Sequence, residues 1–365
     1  MDRSFDIFLA APPGLEPVLA EEARAAGLPA PEVQPGGVVL RGGWSEVQRA
    51  NLELRGASRV LARIGGFPVF HLAQLDKRAR KIDWRAVFRA DVPVKVETVC
   101  RRSKVYHDRA AAARIAGALE AAGVPLGEGG VRLSARIEDN FCTLSVDTSG
   151  APLHRRGYKQ AVGKAPLRET MAALFLRACG YAGAEPVVDP MCGSGTFVIE
   201  AAEMATGRAP GRARAFAFER LAGFDAEGWA AMKAAERPGE TDLRFHGSDR
   251  DAGAVRMAEA NAARAGVEGV ARFARQAVSD LARPAGPPGL VMVNPPYGGR
   301  VGEAKALVAL YGALGAVLRE RFAGWRVGLV TSDGALARAT GLPLEAGPPV
   351  PHGGLKVRLY QGGPL

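Results

Sequence analysis

The apolar positions of this 365-residue chain fall into short runs separated by helix-like stretches, and their rhythm changes twice. Phe5–Ala10 reads as a strand and Leu15–Ala23 as an amphipathic helix closed by Gly27. Gly37–Leu40 reads as a return strand, Trp44–Leu54 as a second helix and Val60–Ile64 as another strand. That order makes a small α+β module. A second module runs from about residue 70 to 153. There Val94–Val99 alternates like a half-buried strand, an Ala-rich helix spans about Asp108 to Ala122, and Val131–Ala135 and Phe141–Val146 are two further strands. Gly157–Gly163 reads as a link. From Leu167 onward, helices alternate with apolar strands, the pattern of a parallel α/β sheet. The expected strands are Pro186–Asp189, Leu243–Ser248, Ala271–Phe273, Leu290–Val293, Val327–Val330 and Lys356–Tyr360. The segment Gly207–Glu240, between the first two, is unusually long.

Charge divides the chain differently. Residues 1–60 carry 6 Lys/Arg against 8 Asp/Glu, residues 61–180 carry 21 against 11, and residues 181–365 carry 21 against 19. The positive excess therefore sits in the middle third, including Lys77-Arg78-Ala79-Arg80-Lys81, Arg101-Arg102-Ser103-Lys104 and Arg155-Arg156. A localised basic field suits a polyanionic partner. No apolar run approaches the roughly 20 residues of a membrane span, and Met1–Asp6 does not read as a signal peptide. Cys100, Cys142, Cys179 and Cys192 are scattered without a metal spacing or a disulfide framework, so reduced cytoplasmic thiols are expected. The five histidines have no motif partners either, and no metal site is expected.

Two motifs carry chemistry. Asn294-Pro295-Pro296-Tyr297 follows the apolar run Leu290–Val293, so Asn294 is expected at a strand's carboxyl end. The two prolines fix a turn without backbone donors. A side-chain amide, exposed carbonyls and a Tyr ring together can grip an exocyclic amino group and stack the flat ring that bears it. Taken alone, the tetrapeptide suggests methyl transfer to a planar amine. The second motif, Asp189-Pro190-Met191-Cys192-Gly193-Ser194-Gly195-Thr196, runs from a buried strand through a Gly-rich turn into the helix Phe197–Ala205. Its glycines allow close backbone approach to a ligand, and free amides at a helix start attract an anion. The third Gly of a dinucleotide fingerprint is absent, and Asp189 suits a bound ammonium better than a pyrophosphate.

Asp189–Thr196 resembles the S-adenosylmethionine motif of class I methyltransferases, and Asn294–Tyr297 the motif of those that methylate exocyclic or amide nitrogens. The chain looks closer still to RNA guanine-N2 methyltransferases with a THUMP domain. Leu144–Gly150 with Leu153–Tyr158 is similar to the end of that domain, and Ala165-Pro166-Leu167-Arg168-Glu169 to the first helix of the catalytic domain. The insertion Ala209–Glu236, with Phe224 and Trp229, resembles one in the bacterial large-subunit rRNA enzymes; Tyr297-Gly298-Gly299-Arg300-Val301-Gly302, Leu310-Tyr311 and Leu314-Gly315 continue the likeness.

The resemblance implies an α/β, Rossmann-like class I methyltransferase sheet over residues 156–365, preceded by a ferredoxin-like α+β module (1–65) and a THUMP RNA-binding domain (66–155). It implies S-adenosyl-L-methionine as cofactor, with Asp189, Pro190, Cys192, Gly193, Ser194, Gly195 and Thr196 around the methionine part. Asp249 would bind the ribose beside Arg250, Asp280 would lie near the adenine, and Asn294 would face the methyl group. Asn294, Pro295, Pro296 and Tyr297 would be catalytic. Asp249 could instead cap the helix Ala252–Ala265, for which Asp251 is equally suited; Asp280 could be a turn residue; Arg168 and Glu169 could contact the cofactor tail or cap their helix. Arg300 departs from the acid common in relatives and receives no role. The implied reaction is methylation of guanosine N2 in RNA, with 23S rRNA favoured by the insertion and tRNA as the alternative. DNA adenine and protein glutamine methylation share the tetrapeptide but require domains not found in this chain. A non-catalytic RNA-binding or assembly factor is the reading of a different class.

Overall fold

The computed structural model describes residues 4–160, 167–298 and 304–365. Ala165 and Pro166 of the expected first catalytic helix, and Gly299-Arg300-Val301-Gly302 after the tetrapeptide, lie outside the described residues. The chain divides into two compact units: residues 1–11, 23–153 and 213–235 make the first, and residues 12–22, 154–212 and 236–365 the second.

The first unit is built on one seven-stranded sheet in the order β2-β3-β1-β4-β7-β6-β5. Its elements are β1 (Phe5–Ala10), α1 (Glu16–Ala25), β2 (Glu32–Gln34), β3 (Gly37–Gly42), α2 (Trp44–Glu53), β4 (Arg59–Pro68), α3 (Leu72–Ala79), β5 (Val94–Arg101), α4 (Asp108–Ala121), β6 (Val131–Glu138) and β7 (Phe141–Asp147). The unit division passes through α1, whose residues up to Glu22 group with the second unit. All strand pairs are antiparallel except β5 with β6. Strand β4 pairs with β1 on one side and β7 on the other, with a register shift between Arg63 and Gly65. The two sequence modules thus share one strand, and a boundary at 65/66 falls inside it. Helix α3 was hidden in the sequence by its basic run. Leu75 and Ala79, one turn apart, supply its buried stripe, and His71 Nδ1 accepts the Gln74 N–H at 3.2 Å as its cap.

The second unit opens with α5 (Glu169–Ala178), β8 (Val187–Asp189) and α6 (Thr196–Ala205). The chain then returns to the first unit through a 3-10 turn, Ala217–Arg220, and α7 (Ala226–Ala234). There the Phe218 N–H donates to Thr148 O at 3.0 Å and the Ala222 N–H to Val87 O at 2.9 Å, while Arg220 donates to Gly129 O at 3.0 Å. Phe216, Phe218 and Trp229 bury one another, with the Trp229 ring edge-on to both phenylalanines. Packing of these aromatics accounts for the length of the segment between β8 and the next strand.

The rest of the second unit comprises β9 (Phe245–Asp249), α8 (Ala252–Ala265), β10 (Ala271–Arg275), β11 (Leu290–Val293), α9 (Ala304–Arg321), β12 (Arg326–Thr331), α10 (Gly334–Ala339), β13 (Glu345–Ala346), β14 (Val350–His352) and β15 (Leu355–Gly362). The sheet order is β10-β9-β8-β11-β12-β15-β13, with β14 alongside β15. From β10 to β12 the strands are parallel, and β15 runs antiparallel to β12. Strand β8 has the next strand of the chain, β9, on one side and β11 on the other. The winding reverses there, and in such sheets the carboxyl ends at the reversal form a ligand crevice. Val291, Val293 and Leu329 pack with Leu314, Leu318, Phe322 and Trp325 beneath that edge.

Candidate active site at the strand ends

Asp189, Asp249 and Asn294 stand at or just past the carboxyl ends of three adjacent parallel strands, β8, β9 and β11. Asp189 is buried and accepts a hydrogen bond from the Met191 N–H at 3.1 Å. Burial drives its carboxyl up to about 8; the Met191 N–H opposes this rise and the nearby Asp249 charge adds to it. Among the described residues no cation pairs with that carboxylate, and a ligand ammonium would supply one.

The turn after Asp189 is tied down by groups far apart in sequence. The Cys192 N–H donates to Ser248 O at 2.9 Å, and the Gly193 N–H to Asp249 Oδ2 at 3.1 Å. Asn261 Nδ2 donates to Ser194 O at 3.0 Å, and Arg264 in turn bonds Asn261 Oδ1. Gly193 has φ +52°, and a Cβ there would meet open space, so its surface is clear for a ligand. Gly195 has φ +83°, and a Cβ there would lie 3.0 Å from both Ala258 and the Phe273 ring. Only glycine fits that packing without strain. Thr196 begins α6, and its Oγ1 accepts from Lys159 Nζ at 2.9 Å. Burial pushes the Cys192 thiol well up, so it is a neutral packing group.

Asp249 and Asp251 divide the work that the sequence could not apportion. Asp251 Oδ1 caps α8 by accepting the Gly253 N–H at 2.7 Å, whereas Asp249 accepts from Gly193 and, at 2.9 Å, from Asp251 N–H. Asp249 is thus built into the Gly-rich turn, with lone pairs left over. Arg250 is exposed beside it, its carbonyl accepting from Arg275 at 3.2 Å. Asp280 ends a 3-10 turn, is exposed, and its side chain accepts from Ser279 Oγ at 3.2 Å. Pro190 lies within the turn between Asp189 and Met191.

At the tetrapeptide, Asn294 Oδ1 is buried and has no hydrogen-bond partner among the described residues. Burying an amide oxygen without a hydrogen bond costs on the order of 1–3 kcal/mol, a cost that an amino-group donor would remove. Pro295 is buried and Pro296 exposed. The Tyr311 hydroxyl, on α9, bonds Pro296 O at 3.4 Å and Thr331 Oγ1 at 3.3 Å and so braces the turn. Burial lifts that hydroxyl to about 12, which keeps it protonated as a donor. Tyr297 is half-buried against the core under β11, leaving part of its ring exposed. A cavity of about 630 Å³ lined by Cys179, Leu290 and Arg326 opens at the amino ends of β11 and β12, away from all of these groups.

A buried ionic layer lies behind the Gly-rich turn. Lys159 Nζ donates to Leu167 O at 2.7 Å as well as to Thr196, and stands 3.8 Å from Glu169 Oε1. Arg156 Nε and the Tyr158 hydroxyl bond Glu200 Oε1 at 3.2 and 3.3 Å. Arg156 and Lys159 belong to the basic stretch of the sequence, yet both are buried and paired. Arg168 takes the N-cap position of α5 without a side-chain capping bond, and Glu169 is held by Lys159. Nothing local in the sequence marks Lys159 or Asn261, and Tyr311, which falls within the family likeness, gains a role only when its hydroxyl is placed on Pro296 O. Among the described residues no cluster of His, Cys, Asp or Glu could hold a metal, and no helix is long and apolar enough to cross a membrane.

Residues 156–344 match the model of the RMKL-like methyltransferase domain, and residues 6–61 that of the RlmL ferredoxin-like domain. The chain belongs to the RMKL-like methyltransferase family. A protein of Synechocystis sp. named "Putative RNA methyltransferase slr0064" is 32% identical over 95% of this chain and 94% of its own length. "Ribosomal RNA large subunit methyltransferase K/L" of Syntrophotalea carbinolica is 36% identical over 98% of this chain but only 53% of that protein. The chain therefore spans about half the length of that K/L relative. The crystal structure of SMU.472, described as a putative methyltransferase complexed with SAH, superposes with a TM-score of 0.87 at 28% identity, covering 100% of both chains. The family membership and this superposition give the second unit a class I methyltransferase fold, with a ferredoxin-like domain at the amino end of the chain.

Proposed function

We propose that this chain transfers a methyl group from S-adenosylmethionine to the exocyclic N2 amino group of a guanosine in RNA, with 23S rRNA as the target. The observation that carries the reading is the buried Asn294 Oδ1 at the carboxyl end of β11, without a hydrogen-bond partner among the described residues and in the same sheet-end tier as Asp189 and Asp249. Asp189 fits the ammonium of the cofactor's methionine part, the amides of Gly193–Thr196 its carboxylate, and Asp249 the ribose hydroxyls. Arg250 and Asp280 flank the expected ribose and adenine positions. Bound there, S-adenosylmethionine supplies a methyl group activated by a sulfonium.

An arylamine is a weak nucleophile because its lone pair is shared with the ring. Asn294 Oδ1 and the Pro295 carbonyl accept the two amino hydrogens, which localises that lone pair on nitrogen and fixes its direction. Such alignment supplies entropic and electrostatic catalysis together. The Tyr311 hydroxyl holds the turn in shape through Pro296 O. Tyr297 offers a ring face to a base that has left its stack. After transfer the nitrogen is strongly acidic and its proton passes to solvent.

The RNA assignment draws support from the names of the Synechocystis and Syntrophotalea relatives and from the basic middle third, read as a THUMP domain over residues 66–155. The test uses purified protein, labelled S-adenosylmethionine and total RNA from a strain lacking the gene. Label recovered as N2-methylguanosine in 23S rRNA is the expected result. Label in tRNA would redirect the substrate, label only in added DNA would refute the RNA reading, and no label anywhere would refute the activity.

A further inference from the structure

One corner of the first unit displays aromatic side chains to solvent. Tyr106 is 80% exposed, Phe70 46% and Phe141 45%, although such rings are ordinarily buried. Lys104 Nζ lies 5.6 Å from the Phe70 ring centroid, and Tyr106 adjoins His107 with ring centroids 6.5 Å apart. The loop that carries them is firmly held. Val105 is buried, Lys104 N–H donates to Asn140 Oδ1 at 2.8 Å, Asn140 N–H donates to Ser103 Oγ at 3.0 Å, and Val69 N–H donates to Asn140 O at 2.7 Å. Arg102, Asp139 and Asn140 adopt positive φ of 45°, 50° and 61° to make this junction. Among the described residues Arg101 and Lys104 are exposed and have no carboxylate partner.

We propose that Phe70, Arg101, Lys104, Tyr106 and Phe141 form a platform on which unpaired bases of the RNA substrate stack. The proposal rests on the RNA reading above and adds where single-stranded nucleotides are held. Flat rings with π faces suit bases of any sequence, and the two unpaired cations suit the backbone that joins them. Charge complementarity favours nucleic acid as the occupant, since residues 61–180 carry 21 Lys/Arg against 11 Asp/Glu. A duplex keeps its bases stacked internally and offers no face to these rings.

The test measures fluorescence anisotropy of the full chain with two labelled RNAs, a blunt hairpin closed by a non-nucleotide linker and the same hairpin with a single-stranded 3′ overhang. The wild type should prefer the overhang. Tyr106→Ala should weaken overhang binding about tenfold and leave the blunt hairpin nearly unchanged, whereas Tyr106→Phe should bind like the wild type. Lys104→Ala should weaken both and flatten the salt dependence. Thermal midpoints of the variants should match the wild type, since the side chains are exposed. Unchanged overhang binding by Tyr106→Ala overturns the platform alone. A wild type that binds neither RNA overturns the RNA reading and the platform together. Sedimentation in which Tyr106→Ala dissolves a dimer would assign the corner to a second copy of the chain and also overturn it.

Discussion

The two units treat charge in opposite ways. In the second, ionic groups are sunk into the interior and matched, as Arg156 is with Glu200 and Lys159 with Glu169, and the buried Glu203 is met by a half-buried Arg212. In the first, apart from Asp147, ion pairs such as Lys95–Glu128 and Arg89–Asp91 stay on the surface. Buried pairs lock one geometry and punish its loss, whereas exposed pairs contribute little and can be exchanged for a partner's phosphates. The difference teaches where precision is needed. A methyl transfer demands a fixed turn, and a polyanion needs accessible cations. Asp189 and Asn294 are the exceptions inside the second unit, a buried acid and a buried amide oxygen that no side chain among the described residues completes.

The sharpest way to break this contrast is at the exceptions. Asn294→Ala removes the unpartnered acceptor and should lower the methyl-transfer rate by about a hundredfold or more. Cofactor affinity measured by calorimetry should stay within a few fold; a rate near the wild type would remove Asn294 from the chemistry. Asp189→Asn should weaken cofactor binding by roughly tenfold or more, through loss of the charge-assisted contact. It should also change stability with pH. The Asp189 carboxyl sits at about 8 when folded against 3.8 ordinarily, so the folded chain holds an extra proton between those values. Stability therefore falls as pH rises through that window, and the Asn variant should flatten the fall in denaturant titrations.

Lys159→Met tests the buried layer. Leaving Glu169 uncompensated should cost about 3–5 kcal/mol in chemical unfolding, and the double change Lys159→Met/Glu169→Leu should recover much of it. The surface change Lys95→Met should leave the unfolding midpoint where it is. Equal losses from the two lysines would erase the contrast between the units. The smallest effect concerns His154, which burial and then Arg168 lower to about 4 from 6.5. The folded chain binds fewer protons than the unfolded one below 6.5, so acid destabilises it progressively down to about 4. His154→Gln should reduce that acid-side loss, and an unchanged acid transition would show that His154 is solvated.

Much of this was legible in sequence because it is local. Apolar runs marked β8, β11 and β12 to within a residue or so, and the two motifs put Asp189 and Asn294 at strand ends. Long-range partners left no such trace. Lys159 finds Thr196 and Asn261 finds Ser194 only through the fold, and a lysine or arginine in a basic run reads as surface until its carboxylate is located. As caps for α8, Asp249 and Asp251 were interchangeable on paper because both sit before the helix; in the fold Asp251 takes the cap and Asp249 reaches Gly193. Residues 213–235 could not be assigned to the first unit by adjacency, since what draws them there is burial of Phe216, Phe218 and Trp229.

The central claim is that Asn294 directs methylation of a guanosine amino group in RNA. Nucleoside mass spectrometry of 23S rRNA tests it most directly, on a strain lacking this gene complemented with wild type or with Asn294→Ala at equal protein levels. The account expects N2-methylguanosine to be lost in the deletion, restored by the wild type and not restored by Asn294→Ala. Full restoration by Asn294→Ala, or no loss in the deletion, would contradict it.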